Sequence, residues 1–262
     1  MSLRDRVAIV AGASGGIGSA TVRAFLAEGM RVVLAAPPDA LLAALAAEVA
    51  PHGERAAVVP TDITRRDQVD ALVARTLDVF GRVDVLANIA GVGSPPSFCE
   101  TSDAEIERVL AVNLLGAART MHAVLPLMVA QRSGAIVNVG SIAGEIAIMG
   151  IYSGSKFGLR GLTDSVRREM RGHGVGVTLV EPGFVDTRMN VGMTNLPSPD
   201  VVARAIVRAV RRPRRKVVVP ANYLVPVFFF KISSAFTDLI FGDARVQQRL
   251  NREARAARAV AR

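Results

Sequence analysis

The chain has 262 residues, half of them hydrophobic, and a formal net charge of +9; this predicts one large folded domain and excludes an intrinsically disordered protein. The single cysteine, Cys99, excludes an internal disulfide, and the three scattered histidines, His52, His122 and His173, show no metal-ligand spacing. The charge is uneven: residues 204–262 carry 14 Lys/Arg against 3 Asp/Glu, whereas residues 1–203 carry 18 against 20, so the basic character belongs to the tail.

The opening run Met1-Ser2-Leu3-Arg4-Asp5-Arg6 lacks the apolar core of a signal peptide, which makes the cytoplasm the expected location. Short apolar runs at 7–11, 31–35, 57–60, 83–88, 135–139, 176–181 and 216–219 read as strands. Helical patterns fall between them, at 16–28 (closed by Gly29), 39–49, 64–80, 102–131, 152–171 and 199–210. Thr64 with Asp67, and Ser102 with Glu105, have capping-box spacing. Ser198 followed by Pro199 predicts an N-cap and a first helical position. Wholly apolar strands that alternate with helices predict a parallel sheet covered on both faces. The expected fold is therefore α/β: one Rossmann-like, doubly wound domain of about seven strands over residues 1–220. An apolar and basic helical extension follows at 221–262.

Two local patterns carry chemistry. The first strand runs into Gly12-Ala13-Ser14-Gly15-Gly16-Ile17-Gly18 and then a helix. Glycine lets the backbone turn tightly and approach a ligand, and a helix N-terminus offers free N–H groups to a phosphate. In a doubly wound pattern, that position is a dinucleotide site. The second pattern is Tyr152 and Lys156, which share a helix face four residues apart. A fixed cation favours phenolate, so Lys156 is expected to lower the Tyr152 pKa toward the range useful for proton transfer.

The glycine spacing resembles that of the short-chain dehydrogenase/reductase family, and further segments agree in family order over about residues 5–220. Asp62-Ile63 looks like the adenine contact, Asn88-Ile89-Ala90-Gly91 like the Asn-x-Ala-Gly motif, and Asn113 like the asparagine of the long helix. Ser141, Tyr152 and Lys156 match the active-site set, and Pro182-Gly183-x-Val185-x-Thr187 matches the nicotinamide-contact segment. The resemblance implies an NAD(P)-dependent oxidoreductase that moves a hydride between nicotinamide and a carbonyl or alcohol carbon. Tyr152 would be the general acid or base, and Lys156 its pKa partner and ribose clamp. Ser141 would bind the substrate oxygen, and Asn113 would hold a relay water. Gly12, Ser14, Gly16, Ile17 and Gly18 would cradle the cofactor, joined by Asp62, Ile63, Asn88, Ala90, Pro182, Gly183, Val185 and Thr187. It also implies a homodimer or homotetramer and no metal.

The chain departs from the family pattern at three points. Ala11 stands where the family usually has threonine. Ser141 precedes Tyr152 by 11 residues, whereas the usual family spacing is about 13, which shortens the loop over the site. The second strand ends in Ala35-Ala36-Pro37-Pro38, with neither an acid to select NAD nor an arginine to hold a 2′-phosphate. With no carboxylate to repel that phosphate, the reading leans to NADP over NAD.

Beyond residue 219 the chain leaves the family core. Residues 222–242 hold Phe228, Phe229, Phe230, Phe236 and Phe241, with Ile232, Leu239 and Ile240 among them. Helical projection places Phe228, Ile232, Phe236 and Leu239 on one face and Lys231, Ser234 and Asp238 on the other. Arginines flank the run on both sides. Two readings stand: a lid or oligomer contact, or a helix lying on an anionic membrane surface. Nucleic acid is not expected, since the arginines lack a reader fold. Either reading favours a small hydrophobic substrate, lipid-like, sterol-like or long-chain.

Overall fold

The computed structural model describes residues 2–225 except residue 96, together with residues 227, 228 and 238. Seven parallel strands form one sheet in the order β3-β2-β1-β4-β5-β6-β7. They are β1 (Val7–Ala11), β2 (Arg31–Ala36), β3 (Ala56–Pro60), β4 (Val85–Asn88), β5 (Gly134–Val139), β6 (Val175–Pro182) and β7 (Lys216–Val219). The helices are α1 (Gly16–Ala27), α2 (Ala40–Val49), α3 (Arg66–Phe80), α4 (Asp103–Leu110), α5 (Ala117–Ala130), α6 (Gly150–Glu169) and α7 (Asp200–Arg211).

The expected apolar strands arise because both sheet faces are buried. Along β1, Ala8 and Val10 join a core with Phe25, Leu26 and Ile206. Val7 and Ile9 point the other way, into a core with Leu72, Met121 and Met128. Side chains of successive strand residues alternate between faces, so a sheet clad on both sides favours apolar residues throughout and tolerates a polar one only where it finds a buried partner.

Helix starts differ from the sequence reading in two places. Thr64 is not an N-cap: its amide and hydroxyl both bond Asp62 Oδ1, at 2.9 and 2.8 Å, and α3 starts two residues later, after Arg65. Asp62 therefore folds the loop onto itself before the helix can begin. Ser198 bonds Asp200 by side chain and amide, and α7 opens at Asp200, one residue past the expected proline start. Ser102 does cap α4, accepting from Glu105 N at 3.3 Å. The stretch expected as one long helix is broken by a π-helical turn, Ala111–Gly116, between α4 and α5. The amphipathic helix of the extension and the arginine-rich tail lie outside the described residues. The start of the extension is described: Tyr223 lays its ring on Gly183, where an added Cβ would meet the ring at 2.2 Å.

Candidate active site

Strand order reverses between β1 and β4, and ligands of open α/β sheets bind at that switch point, beyond the carboxyl ends of the strands. The loops after β1 and β4 are stitched together there. Ile89 N and Ala90 N both donate to Ala11 O, at 2.8 and 2.9 Å. Gly12 has φ +89°, and a Cβ on it would lie 2.4 Å from Ala90 N. A Cβ on Gly18 would lie 2.0 Å from Gly12 O. Only glycine fits either position. Helix α1 opens at Gly16 with Gly15 as an N-cap that offers no side-chain acceptor, and its first turn holds no acid. Its leading N–H groups thus face the crevice uncapped, ready for an anion. Thr187, after β6, closes on this turn, with Cγ2 3.1 Å from where a Gly16 Cβ would stand.

The β5 side supplies side chains. Ser141 follows β5, accepts from Ala143 N at 3.1 Å and starts a single 3₁₀ turn, Ile142–Gly144. Despite the short spacing, this turn brings Ser141 close enough to Tyr152 to hold its phenol down. Gly144 lies flat on α6, where a Cβ would come within 3.0 Å of the Lys156 backbone. Tyr152 is buried, and burial pushes its phenol above its ordinary value, with Ser141 opposing. The net shift of the phenol is thus upward, because burial outweighs what favours the phenolate; the Lys156 ammonium stands 5.7 Å from the ring centroid. Lys156 is itself only 3% exposed, and burial brings its pKa down to about 8. Its Nζ donates to Val139 O at 3.1 Å. An ammonium has three N–H donors, so among the described residues it retains capacity for a ligand.

Asn113 lies in the π turn, buried, with its side chain fully engaged. Its Oδ1 accepts from Val92 N at 2.8 Å, and its Nδ2 donates to Val92 O and Ser155 Oγ, each at 3.0 Å. It joins the long helix to the β4 loop and to α6. A Cβ on Gly91 would come within 3.3 Å of Lys156 Nζ and 3.4 Å of Asn113 Oδ1, so both border the same glycine.

Two residues of the expected cofactor set, Ile63 and Asn88, turn their side chains inward. The Ile63 side chain packs into a small core with Ala11 and Val69 and does not face the crevice. Asn88 turns inward: its Oδ1 accepts from Thr120 Oγ1 at 2.7 Å, and its Nδ2 donates to Asn138 Oδ1 at 2.9 Å. Asn138 in turn donates to Thr163 Oγ1 at 2.9 Å. This buried chain of neutral groups links α5, β4, β5 and α6 beneath the site. Asn88 bears on the crevice only through its backbone, because a buried amide must find partners and these lie inside. Val185 is also buried, while its carbonyl accepts from Asn190 Nδ2 at 2.7 Å. Ser14, Asp62, Ala90, Gly183 and Thr187 keep partial exposure around the crevice, and Pro182 is buried at the end of β6.

Sequence reasoning missed the asparagine chain and a group of charges behind Ser141, in which the buried Glu145 and Glu181 meet the partly exposed Arg160 and Lys216. A signal for the second existed: Glu181 is a carboxylate at the end of an otherwise apolar strand, and Lys216 opens another.

Comparison with known proteins agrees with this geometry. The short chain dehydrogenase family profile matches residues 6–195. A ketoacyl reductase from Nostoc is 35% identical over 231 residues, covering 84% of this chain and 80% of the relative. A short-chain dehydrogenase/reductase from Burkholderia phymatum, solved with NAD, superposes with a TM-score of 0.85 at 26% identity, covering 90% of this chain and 96% of that one. A variant of actinorhodin polyketide ketoreductase, solved with NADPH, gives 0.75 at 27% identity, covering 82% and 95%. With Ser141, Tyr152 and Lys156 gathered at the switch-point edge of the sheet, the chain belongs to the short-chain dehydrogenase/reductase family, as an oxidoreductase acting between C=O and CH–OH.

Proposed function

We propose that this protein reduces the carbonyl of a hydrophobic substrate, or oxidises the matching secondary alcohol, with NADP(H) or NAD(H) as cofactor. The observation that carries the reading is the meeting of Ser141, Tyr152 and Lys156 within reach of the glycine-lined α1 N-terminus. The site fits a dinucleotide on its own terms. Gly12 and Gly18 keep the turn tight, the leading N–H groups of α1 suit a pyrophosphate, and the spare Lys156 donors suit ribose hydroxyls. A bound nicotinamide supplies or accepts the hydride. Asp39, the carboxylate nearest the end of β2 in sequence, caps α2 through Leu42 N at 2.8 Å. It is thereby spent on the helix, which leaves the lean toward NADP in place.

The residues of this chain handle the proton and the developing charge. As the substrate oxygen gains negative charge, Ser141 Oγ and the Tyr152 phenol are the donors aimed at it. Tyr152 gives up its proton in reduction and takes one in oxidation. Lys156 stabilises the phenolate left behind, because a cation held in a low-dielectric site acts strongly over several ångströms. Asn113 holds the Val92 loop and Ser155 in register and so fixes the approach to Lys156; the proton relay is placed along that approach. Thr187, with the Pro182–Gly183 turn, orients the cofactor ring.

A greasy rim favours a hydrophobic substrate. Phe98, Met149, Met189 and Met193 are exposed on the loops that follow β4, β5 and β6. Phe98 lies against Gly150, and Met189 against Gly93, which draws these loops over one mouth. The test is oxidation of NADPH and of NADH with a panel of long-chain, cyclic and sugar ketones. Turnover should favour the apolar members, and Tyr152→Phe should lose roughly 10²–10⁴-fold in kcat, the range for a general acid. Equal rates for wild type and Tyr152→Phe across the panel would overturn the chemistry; a preference for the sugars would overturn the substrate class.

A further inference from the structure

The shortened loop between Ser141 and Tyr152 is held by a charge cluster, two buried carboxylates and two partly exposed cations, that the reaction does not explain. Glu145 directly follows that loop's 3₁₀ turn, and its side chain is fully buried. Arg160, one turn beyond Lys156 on α6, reaches Glu145 Oε2 at 3.1 Å and donates to Gly144 O at 3.0 Å. Lys216, at the start of β7, donates to Glu145 Oε1 at 2.8 Å. The same ammonium stands 3.4 Å from Oε2 of Glu181, the residue before Pro182-Gly183. Thus four charged side chains connect the turn after Ser141, the helix of Tyr152, and the strand that leads into the predicted nicotinamide segment. Asp164, also on α6, faces the cluster but is paired with Arg215 at 2.7 Å and Arg167 at 3.5 Å.

Stability alone does not account for such a group. Buried ions lose their hydration, and apolar residues of similar size hold a fold together as well or better. What fixed charges do provide is a defined separation and direction between the elements they join. A loop with fewer residues than usual has less covalent reach to place Ser141, so its position depends on what pins the turn.

We propose that Glu145 is a positioning residue: through Arg160 and Lys216 it clamps the 142–144 turn onto α6 and so sets Ser141 against Tyr152. The proposal rests on the reading of Ser141 and Tyr152 as the reactive pair. Burial raises the Glu181 carboxyl to about 7, which Lys216 and Arg160 oppose and Asp164 reinforces. Lys216 lies 2.8 Å from Glu145 Oε1 but 3.4 Å from Glu181 Oε2, so the clamp is centred on Glu145.

The test is steady-state kinetics of the full chain with NADPH and the panel ketone it reduces fastest. Glu145→Gln should lower kcat roughly 10–100-fold, since small misplacements cost that much, while the KM for NADPH stays within about twofold of wild type. The alkaline limb of kcat should move to higher pH, the direction in which losing Ser141 moves Tyr152. Adding Ser141→Ala to Glu145→Gln should cost little more than Ser141→Ala alone, as expected for residues acting through one contact. If Glu145→Gln does not fold, Arg160→Lys keeps the charge but gives up the fork to Gly144 O, and should show a smaller loss of the same kind. Overturning results are a lowered Tm with unchanged kcat and pH profile, or losses in the double variant that simply multiply. Tyr152→Phe is run alongside. If it is inactive while Glu145→Gln matches wild type, only the clamp falls; if it keeps full turnover, the reaction assignment falls and the clamp with it.

Discussion

On the β1–β4 side of the crevice the chain offers backbone, and on the β5–β6 side it offers side chains. The first half consists of Gly12, Gly18 and the uncapped start of α1, so its ligand groups are amides already oriented by secondary structure. The second half consists of Tyr152, Lys156 and Ser141, held from behind by buried asparagines and charges. A backbone site costs little, because its N–H groups are unsatisfied at any helix start. A site made of buried titratable side chains opposes folding, because each ion is kept away from water. The difference teaches where this protein is sturdy and where it is strained, and it can be broken at either half.

The largest effect is expected from Lys156→Met. Removing the clamp on the phenolate should lower kcat roughly 10²–10⁴-fold, yet the variant should be more stable than the parent. The sign follows from the direction of the shift. The folded pKa is about 8, below the ordinary 10.5, so the unfolded chain binds more protons between those values. Stability attributable to this group is present above 10.5 and lost as pH falls through about 8. Near neutral pH the buried ammonium then costs up to about 3 kcal/mol, which methionine avoids. Thermal melts of parent and variant at neutral and alkaline pH check this. A variant less stable than wild type at neutral pH would remove the strain assigned to this half.

Gly18→Ala attacks the other half. Its Cβ would meet Gly12 O at 2.0 Å, which forces the turn open. The expected cost is roughly 1–3 kcal/mol in stability, with dinucleotide affinity lost while Ser141 and Tyr152 stay in place. Urea unfolding and a titration with NADPH measure the two. Unchanged affinity would show that the β1 turn is not the phosphate cradle.

Glu181→Gln should have the smallest effect and a pH signature opposite to that of Lys156→Met. Its folded pKa, about 7, lies above the ordinary 4.5. Stability from this group is complete below 4.5 and lost as pH rises through 7. The variant should therefore gain stability above pH 7 and none near pH 4. Melts across that range check it, and a gain that is equal at both ends would contradict the assignment.

The strands, their order of appearance and the glycine turn could be read from residues 7–219 because each follows from local chemistry. Apolar runs bury on both sheet faces, and glycine alone tolerates the Gly12 and Gly18 positions. At Asn88 and Ile63 the motif shows the residue type but not the direction of its side chain. Burial turned one into a four-element polar chain and the other into the core. The π turn around Asn113 left no trace in the helical period, since it is set by Val92 and Ser155, which are 21 and 42 residues away in sequence.

By itself, the sequence determined the alternation of strands and helices, the anion-ready turn, and the presence of Tyr152 and Lys156 on one helix face, because these depend on neighbours within a few residues. Only the tertiary structure decided that Ser141 reaches Tyr152 across a shortened loop, that burial of the phenol outweighs what favours the phenolate, and that Glu145, Arg160, Lys216 and Glu181 stand together behind them. Solvent exclusion and charge pairing are properties of distant residues brought into contact, and no local pattern encodes them.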